Sequence, residues 1–303
     1  MCAMRTIVRM LNPIRGCFRS AEDVEAKLSA ASYLCTPDIA TTVYLAAEMG
    51  KPVLVEGPAG VGKTELAKAS AAATGAELIR LQCYEGLDEA RAIYEWNYKK
   101  QLLRLQAAPS EQGWDVLQDD IFSADFLLSR PLLTAIRRSG PTVLLIDEVD
   151  KADVEMEALL LEILSDFQIT VPELGTIVAT SRPLVVLTSN GTRDLSEALK
   201  RRCLWLYIGY PDPQREREIV SARVPELDAA LAERVVRIAR ALRGLDLRKP
   251  PSLAETIDWS RAIVTLGLSE LDAAAILRTL GVLLKNTSDH ARAVEALSLG
   301  SAR

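Results

Sequence analysis

Residues 53–64 read Val-Leu-Val-Glu-Gly-Pro-Ala-Gly-Val-Gly-Lys-Thr, and their order decides the fold. Val53–Val55 is a short continuous apolar run, the pattern of a strand buried on both faces. The next eight residues, Gly57, Pro58, Ala59, Gly60, Val61, Gly62, Lys63 and Thr64, fit G-x-x-x-x-G-K-[ST], and a helix pattern follows from Glu65 to Ala73. Strand, glycine-rich loop and helix in that order make a phosphate cradle. Glycines let the backbone close on the anion, and the N–H groups of the loop and helix start face it. Lys63 is expected at the β- and γ-phosphates of a nucleoside triphosphate and the Thr64 hydroxyl on Mg²⁺, with Gly57–Glu65 as the whole nucleotide-binding stretch.

Four more apolar runs bounded by turn residues lie outward from this one: Leu78–Leu81, Val143–Ile146, Leu184–Thr188 and Leu204–Ile208. Continuous rather than alternating apolarity predicts a parallel sheet covered by helices, an α/β unit. A helix opened by Pro37 and closed by Gly50 precedes it. Gln168–Val171 and Thr176–Ala179, joined by Pro172-Glu-Leu-Gly175, predict a hairpin before the fourth strand. From Asp212 only helix patterns follow, four or so, broken by Pro250-Pro251. The expected organisation is a basic arm over 1–18, an α/β domain over 19–211 and a helical lid over 212–303. The α/β domain carries a helical insertion at about 83–118 and the hairpin at 168–180. The insertion is polar and rich in aromatics (Tyr84, Tyr94, Trp96, Tyr98, Trp114). It reads either as a surface that engages something or as a helix folded back over a core edge.

Three further stretches carry chemistry. Val143-Leu-Leu-Ile-Asp147-Glu148 buries a strand and ends it in two carboxylates, at the edge where α/β sheets hold ligands. Asp147 is expected to take Mg²⁺ through water, and Glu148 to orient and deprotonate the attacking water. Asn190 ends the next strand, where its amide could hold that water; Asn-Gly is also plain turn chemistry. Arg201 and Arg202 close a short helix. Basic residues there complement the helix dipole, and they also suit a guanidinium supplied to a neighbouring subunit's phosphates.

Composition bounds the rest. The chain has 303 residues, 49% hydrophobic and 25% charged, which suits two packed globular units. A net charge of −5 argues against nucleic acid as the main partner. Five scattered cysteines form no C-x-x-C pair, so neither a disulfide framework nor a zinc site is signalled. The single histidine, His290, makes imidazole catalysis a poor reading. No run of 18 apolar residues spans a membrane, and the start lacks a continuous signal-peptide core, so a cytoplasmic location is expected.

In this order, Gly57–Thr64, Val143–Glu148, Asn190 and Arg201–Arg202 resemble the AAA+ ATPases, where these positions are Walker A, Walker B, sensor 1 and the arginine finger. The resemblance implies a P-loop fold with a five-stranded parallel sheet and a helical lid, hexameric rings, and ATP sites between neighbours. The hairpin and the insertion look like the clade that includes the MoxR-type ATPases. Residues 57–68, 81–91 (Leu-Gln-Cys-Tyr-Glu-Gly-Leu-Asp-Glu-Ala-Arg), 94–98 (Tyr-Glu-Trp-Asn-Tyr) and 195–204 (Leu-Ser-Glu-Ala-Leu-Lys-Arg-Arg-Cys-Leu) are similar to its CoxD-like branch. That branch implies a von Willebrand factor A (VWA) domain partner and a client such as a molybdenum hydroxylase of the carbon monoxide dehydrogenase type. One position departs from the pattern: Pro250–Thr256 lacks the arginine expected at the start of a lid helix, and neither Lys249 nor Arg261 is a safe substitute. A nucleic-acid-remodelling ATPase, a small-molecule kinase and a non-catalytic scaffold are the competing readings. The acidic hairpin tip counts against the first and the intact site residues against the last.

Overall fold

Capping chemistry decides where the first helices begin and end. The computed structural model describes residues 12–107 and 114–297, but not the side chains at 89, 114, 115 and 119. It opens with α1 (Ala21–Ala30) and α2 (Pro37–Met49). Ser20 and Thr36 accept from the N–H groups of Asp23 and Ile39, and Gly50, at φ 62°, closes α2 in the left-handed conformation. The stretch before α1, expected as a loose arm, is held down where it is described. Ile14 and Phe18 are buried, the Asn12 amide donates to the Ala47 carbonyl at 2.9 Å, and the Gly16 N–H to Glu48 at 2.9 Å. Burying two large apolar side chains outweighs the mobility expected of a basic arm. The rest of the arm, residues 1–11, lies outside the described residues.

The chain continues through β1 (Val53–Glu56), α3 (Lys63–Thr74) and β2 (Glu77–Gln82). The insertion follows, with α4 (Glu89–Ala92), β3 (Tyr94–Trp96), α5 (Tyr98–Ala107), α6 (Trp114–Ile121) and β4 (Leu127–Ser129). Then come α7 (Pro131–Arg137), β5 (Thr142–Asp147), α8 (Val154–Asp166), the hairpin β6 (Gln168–Val171) and β7 (Gly175–Val178), β8 (Leu184–Ser189), α9 (Glu197–Arg202) and β9 (Leu204–Tyr207). The five expected runs form one five-stranded parallel sheet in the order β2-β5-β8-β1-β9. Every residue of β5 and β8 is buried, as their unbroken apolarity requires. The register sets Glu56 against Ser189 and Gln82 against Asp147, so the C-terminal ends of four strands lie along one edge. In the hairpin, the Leu174 N–H returns to the Val171 carbonyl at 3.0 Å and Gly175 takes φ 75°, the geometry of a three-residue turn.

The insertion corrects the expected boundary at 118. It runs on to Ser129 and is closed by an antiparallel pair, Tyr94–Trp96 on Leu127–Ser129. Its aromatics divide. Trp96 is buried, edge-on to Phe122 at 5.2 Å and to Tyr94 at 6.2 Å, whereas Tyr84 and Tyr98 are exposed.

Packing divides the chain into two units. Among the described residues, the α/β unit comprises those up to Ala31, Cys35–Glu56 and Thr64–Leu206; the helical unit comprises Ser32–Leu34, Gly57–Lys63 and those from Tyr207 on. The helical unit thus begins before the expected 212 and takes in the glycine-rich loop. A Cβ at Gly57 would stand 2.0 Å from the Ile208 carbonyl oxygen, and one at Gly60 2.2 Å from Ser252 Oγ, so only glycine permits this approach. Among its described residues the unit has five helices: α10 (Pro213–Arg223), α11 (Ala229–Arg243), α12 (Leu253–Thr265), α13 (Ala273–Leu283) and α14 (Thr287–Ala296). Its core is centred on the buried Trp259, which donates to Thr279 at 2.8 Å. Glu216, also buried, receives both ends of the Arg243 guanidinium at 2.7 and 2.8 Å; Arg243 Nε reaches the Pro251 carbonyl at 2.6 Å and fixes the segment entering α12. No helix among the described residues is long and apolar enough to cross a membrane.

Candidate active site

The glycine-rich loop joins β1 to α3. Lys63 is buried, and its ammonium donates to the carbonyls of Gly57 at 2.6 Å and Pro58 at 2.7 Å, curling the loop around its own cation. Val61 is buried while Ala59 and Gly60 are exposed, so the bowl's apolar side anchors it and its backbone stays open. Within the helical unit, the start of α12 braces the loop. Ser252 caps α12 in a capping box with Glu255, and the Ala254 N–H donates to the Gly60 carbonyl at 3.1 Å. Arg261 pairs instead with Asp258 at 3.2 Å, and Lys249 stands 3.9 Å from Glu255. Glu65, in the first turn of α3, pairs with Lys68 at 2.6 Å.

The acidic pair sits where β5 ends. Asp147 is buried, and its Oδ1 accepts from the hydroxyls of Thr64 at 3.0 Å and Thr188 at 2.5 Å. Its Oδ2 meets Arg80 Nη2 at 2.5 Å. Glu148 follows at φ 57°, ψ 48°, a left-handed conformation that costs a non-glycine residue roughly 1–3 kcal/mol and turns the side chain off the strand. Its N–H donates to Thr188 at 2.9 Å. Its carboxylate accepts from Gln82 at 2.9 Å, from Asn190 at 3.5 Å, and from Lys151 in an ion pair of 2.6 Å. The geometry therefore joins Thr64, Asp147, Glu148 and Asn190 into one cluster.

Asn190 is held by the turn after it. Asp150 accepts from the Thr192 N–H at 3.0 Å and its hydroxyl at 2.6 Å. Burial pushes the Asp150 carboxyl up, but these bonds outweigh it and hold it below its ordinary value. Cys83, beside the cluster, has its thiol pushed up to about 12 by burial and then by the charges of Asp147, Asp150 and Glu148, so it stays protonated and inert. Arg201 and Arg202 are exposed on α9; Arg202 bonds to Ser165 and to the Ala198 carbonyl, apart from the acidic pair of its own chain. Sequence reasoning missed Arg80, Gln82, Lys151, Thr188 and Asp150. Their only local signal is polarity within apolar runs, as in Leu-Val-Val-Leu-Thr188-Ser.

The cluster holds hard oxygen donors, and Thr64 directly follows the glycine-rich loop in the chain, a set of residues suited to binding and cleaving a nucleoside triphosphate. Comparison with known proteins agrees. The family model of the AAA domain (dynein-related subfamily) matches residues 52–203. The chain is similar to the denitrification regulatory protein NirQ of Stutzerimonas stutzeri, 26% identical over 82% of each chain. It is similar to protein NorQ of Paracoccus denitrificans, 26% identical over 72% of this chain and 74% of that one. The gas vesicle ATPase GvpN of Haloferax mediterranei is also 26% identical, over 65% of this chain and 57% of its own length.

Proposed function

The chain belongs to the AAA domain family, in its dynein-related subfamily, and on that premise we propose how its residues divide the work of an AAA+ ATPase of the MoxR type. The observation that carries the reading is the contact of Thr64 with Asp147 at 3.0 Å beside a Glu148 that also meets Asn190. Gly57–Thr64 wraps the phosphates, and Lys63 exchanges the carbonyls of Gly57 and Pro58 for β- and γ-phosphate oxygens. Thr64 Oγ1 and Asp147 Oδ1 fit Mg²⁺, Thr64 directly and Asp147 through water; when bound, the ion neutralises charge on the phosphates. Glu148 accepts the proton of the attacking water, and Asn190 holds that water against the γ-phosphate. Arg201 or Arg202 serves a neighbour's site in a hexameric ring.

The work done with that hydrolysis is remodelling of a client protein in the cytoplasm. The runs shared with the CoxD-like branch support a molybdenum hydroxylase as client and a VWA-domain protein as partner. Similarity to a denitrification regulatory protein supports a role in regulating another protein. The decisive variant is Glu148→Gln, which keeps ATP binding and loses turnover by about a hundredfold or more. Phosphate release at the wild-type rate would remove Glu148 as the base.

A further inference from the structure

The acidic pair is neutralised from within the chain. The Asp147 side chain is only 4% exposed, and a buried carboxylate without a counter-charge is costly. Two hydroxyls fill its Oδ1, and Arg80 covers its Oδ2 at 2.5 Å. Arg80 stands two residues before Gln82 on β2, on the same face, and its guanidinium also donates to the Gln82 amide oxygen. The fold does not require a cation here. β2 is an edge strand, Arg80 is half-exposed, and the core is served by its neighbours Ile79 and Leu81. A polar residue for edge solubility would not need to be aimed at the buried carboxylate that ends β5.

We propose that Arg80 is the resident counter-ion of Asp147, holding that carboxylate oriented in the metal-free chain and setting the affinity with which a divalent cation enters. The inference rests on the reading of Thr64 and Asp147 as the metal's ligands. A guanidinium brings one delocalised charge and a fixed fork of donors. A divalent ion with twice the charge prevails once nucleotide phosphates add their own oxygens, and fails against Arg80 without them. Metal therefore loads with the nucleotide and not ahead of it.

The test titrates Mg²⁺ into the full chain with a fluorescent ADP analogue and reads the half-saturating Mg²⁺ concentration. Arg80→Met keeps the apolar stem and removes the charge; it lowers that concentration by on the order of tenfold, since one like charge beside a divalent ion is worth about that even at high dielectric. Arg80→Gln, neutral and still a hydrogen-bond donor, moves the same way, while Arg80→Lys stays near the wild type. The difference shrinks as salt is added. Without metal and nucleotide, Arg80→Met melts below the wild type, and saturating Mg²⁺ with the analogue narrows the gap. An unchanged half-saturating concentration in both neutral variants overturns the proposal while leaving the metal site intact. Analogue binding to the wild type that ignores Mg²⁺ overturns the metal-site reading and this inference with it.

Discussion

The hydroxyl of Thr188 donates to Asp147 and accepts from the Glu148 N–H, so one buried oxygen fixes both members of the acidic pair. Thr188→Val keeps the shape and removes both bonds, leaving a buried N–H unsatisfied. The expected result is a loss of about 1–3 kcal/mol in urea unfolding. ATP binding is retained, and turnover falls roughly tenfold as general-base alignment degrades. Wild-type turnover in a correctly folded variant would show that Thr188 serves stability alone. This residue also marks how far the sequence could be read. Gly57–Thr64 is legible because its spacing is local and its mechanism demands those residue types. Thr188 and Arg80 acquire meaning only through strand register, which pairs β2 with β5 and β5 with β8 across gaps of dozens of residues.

At the scale of elements, α8 governs where α9 begins. Glu157 of α8, buried, accepts from the Ser196 N–H at 3.0 Å, and Ser196 is the N-cap of α9. Arg193 pairs with the same carboxylate. Burial pushes the Glu157 carboxyl up, yet the bonds from Ser196 and Arg193 outweigh it and hold it below its ordinary 4.5. A folded value below the unfolded one adds stability above the unfolded value, and that stability is lost as pH falls through the folded one. Resistance to urea should therefore hold from neutral pH down to about 5 and fall below that. Glu157→Gln should be less stable by about 1–3 kcal/mol at pH 7 and show a shallower acid fall. An equally steep fall in the variant would assign the acid transition to other carboxylates. The five sheet strands and the hairpin were legible because each is a distinct apolar or alternating run bounded by turn residues. The pair Tyr94–Trp96 and Leu127–Ser129 was not: two three-residue strands separated by two helices leave no periodicity to detect.

For the whole molecule, the question is whether one chain makes a complete site. Each unit has its own core, one around the sheet and one around Trp259, so each can hold its part of the machinery firmly. The site residues of the α/β unit bond to one another, but Arg202 is exposed and bonds only locally on α8 and α9. A guanidinium so placed is available to a second copy, and cyclic assemblies repeat such a head-to-tail contact around a ring. If the site is shared, Lys63→Ala lacks the phosphate contact but still lends Arg202, and Arg202→Ala lacks the finger but still holds nucleotide. Each variant alone should be nearly inactive. Mixed in equal amounts with ATP, they should regain about a quarter of wild-type phosphate release, because a random ring places an intact loop beside an intact finger at that frequency. Light scattering on the same samples should report ATP-dependent assembly of Arg202→Ala and of the mixture. Full activity in Arg202→Ala alone would exclude Arg202 as the shared finger and leave Arg201 to be tested by the same mixing. Assembled mixtures that stay inactive would mean that the two residues never meet across an interface.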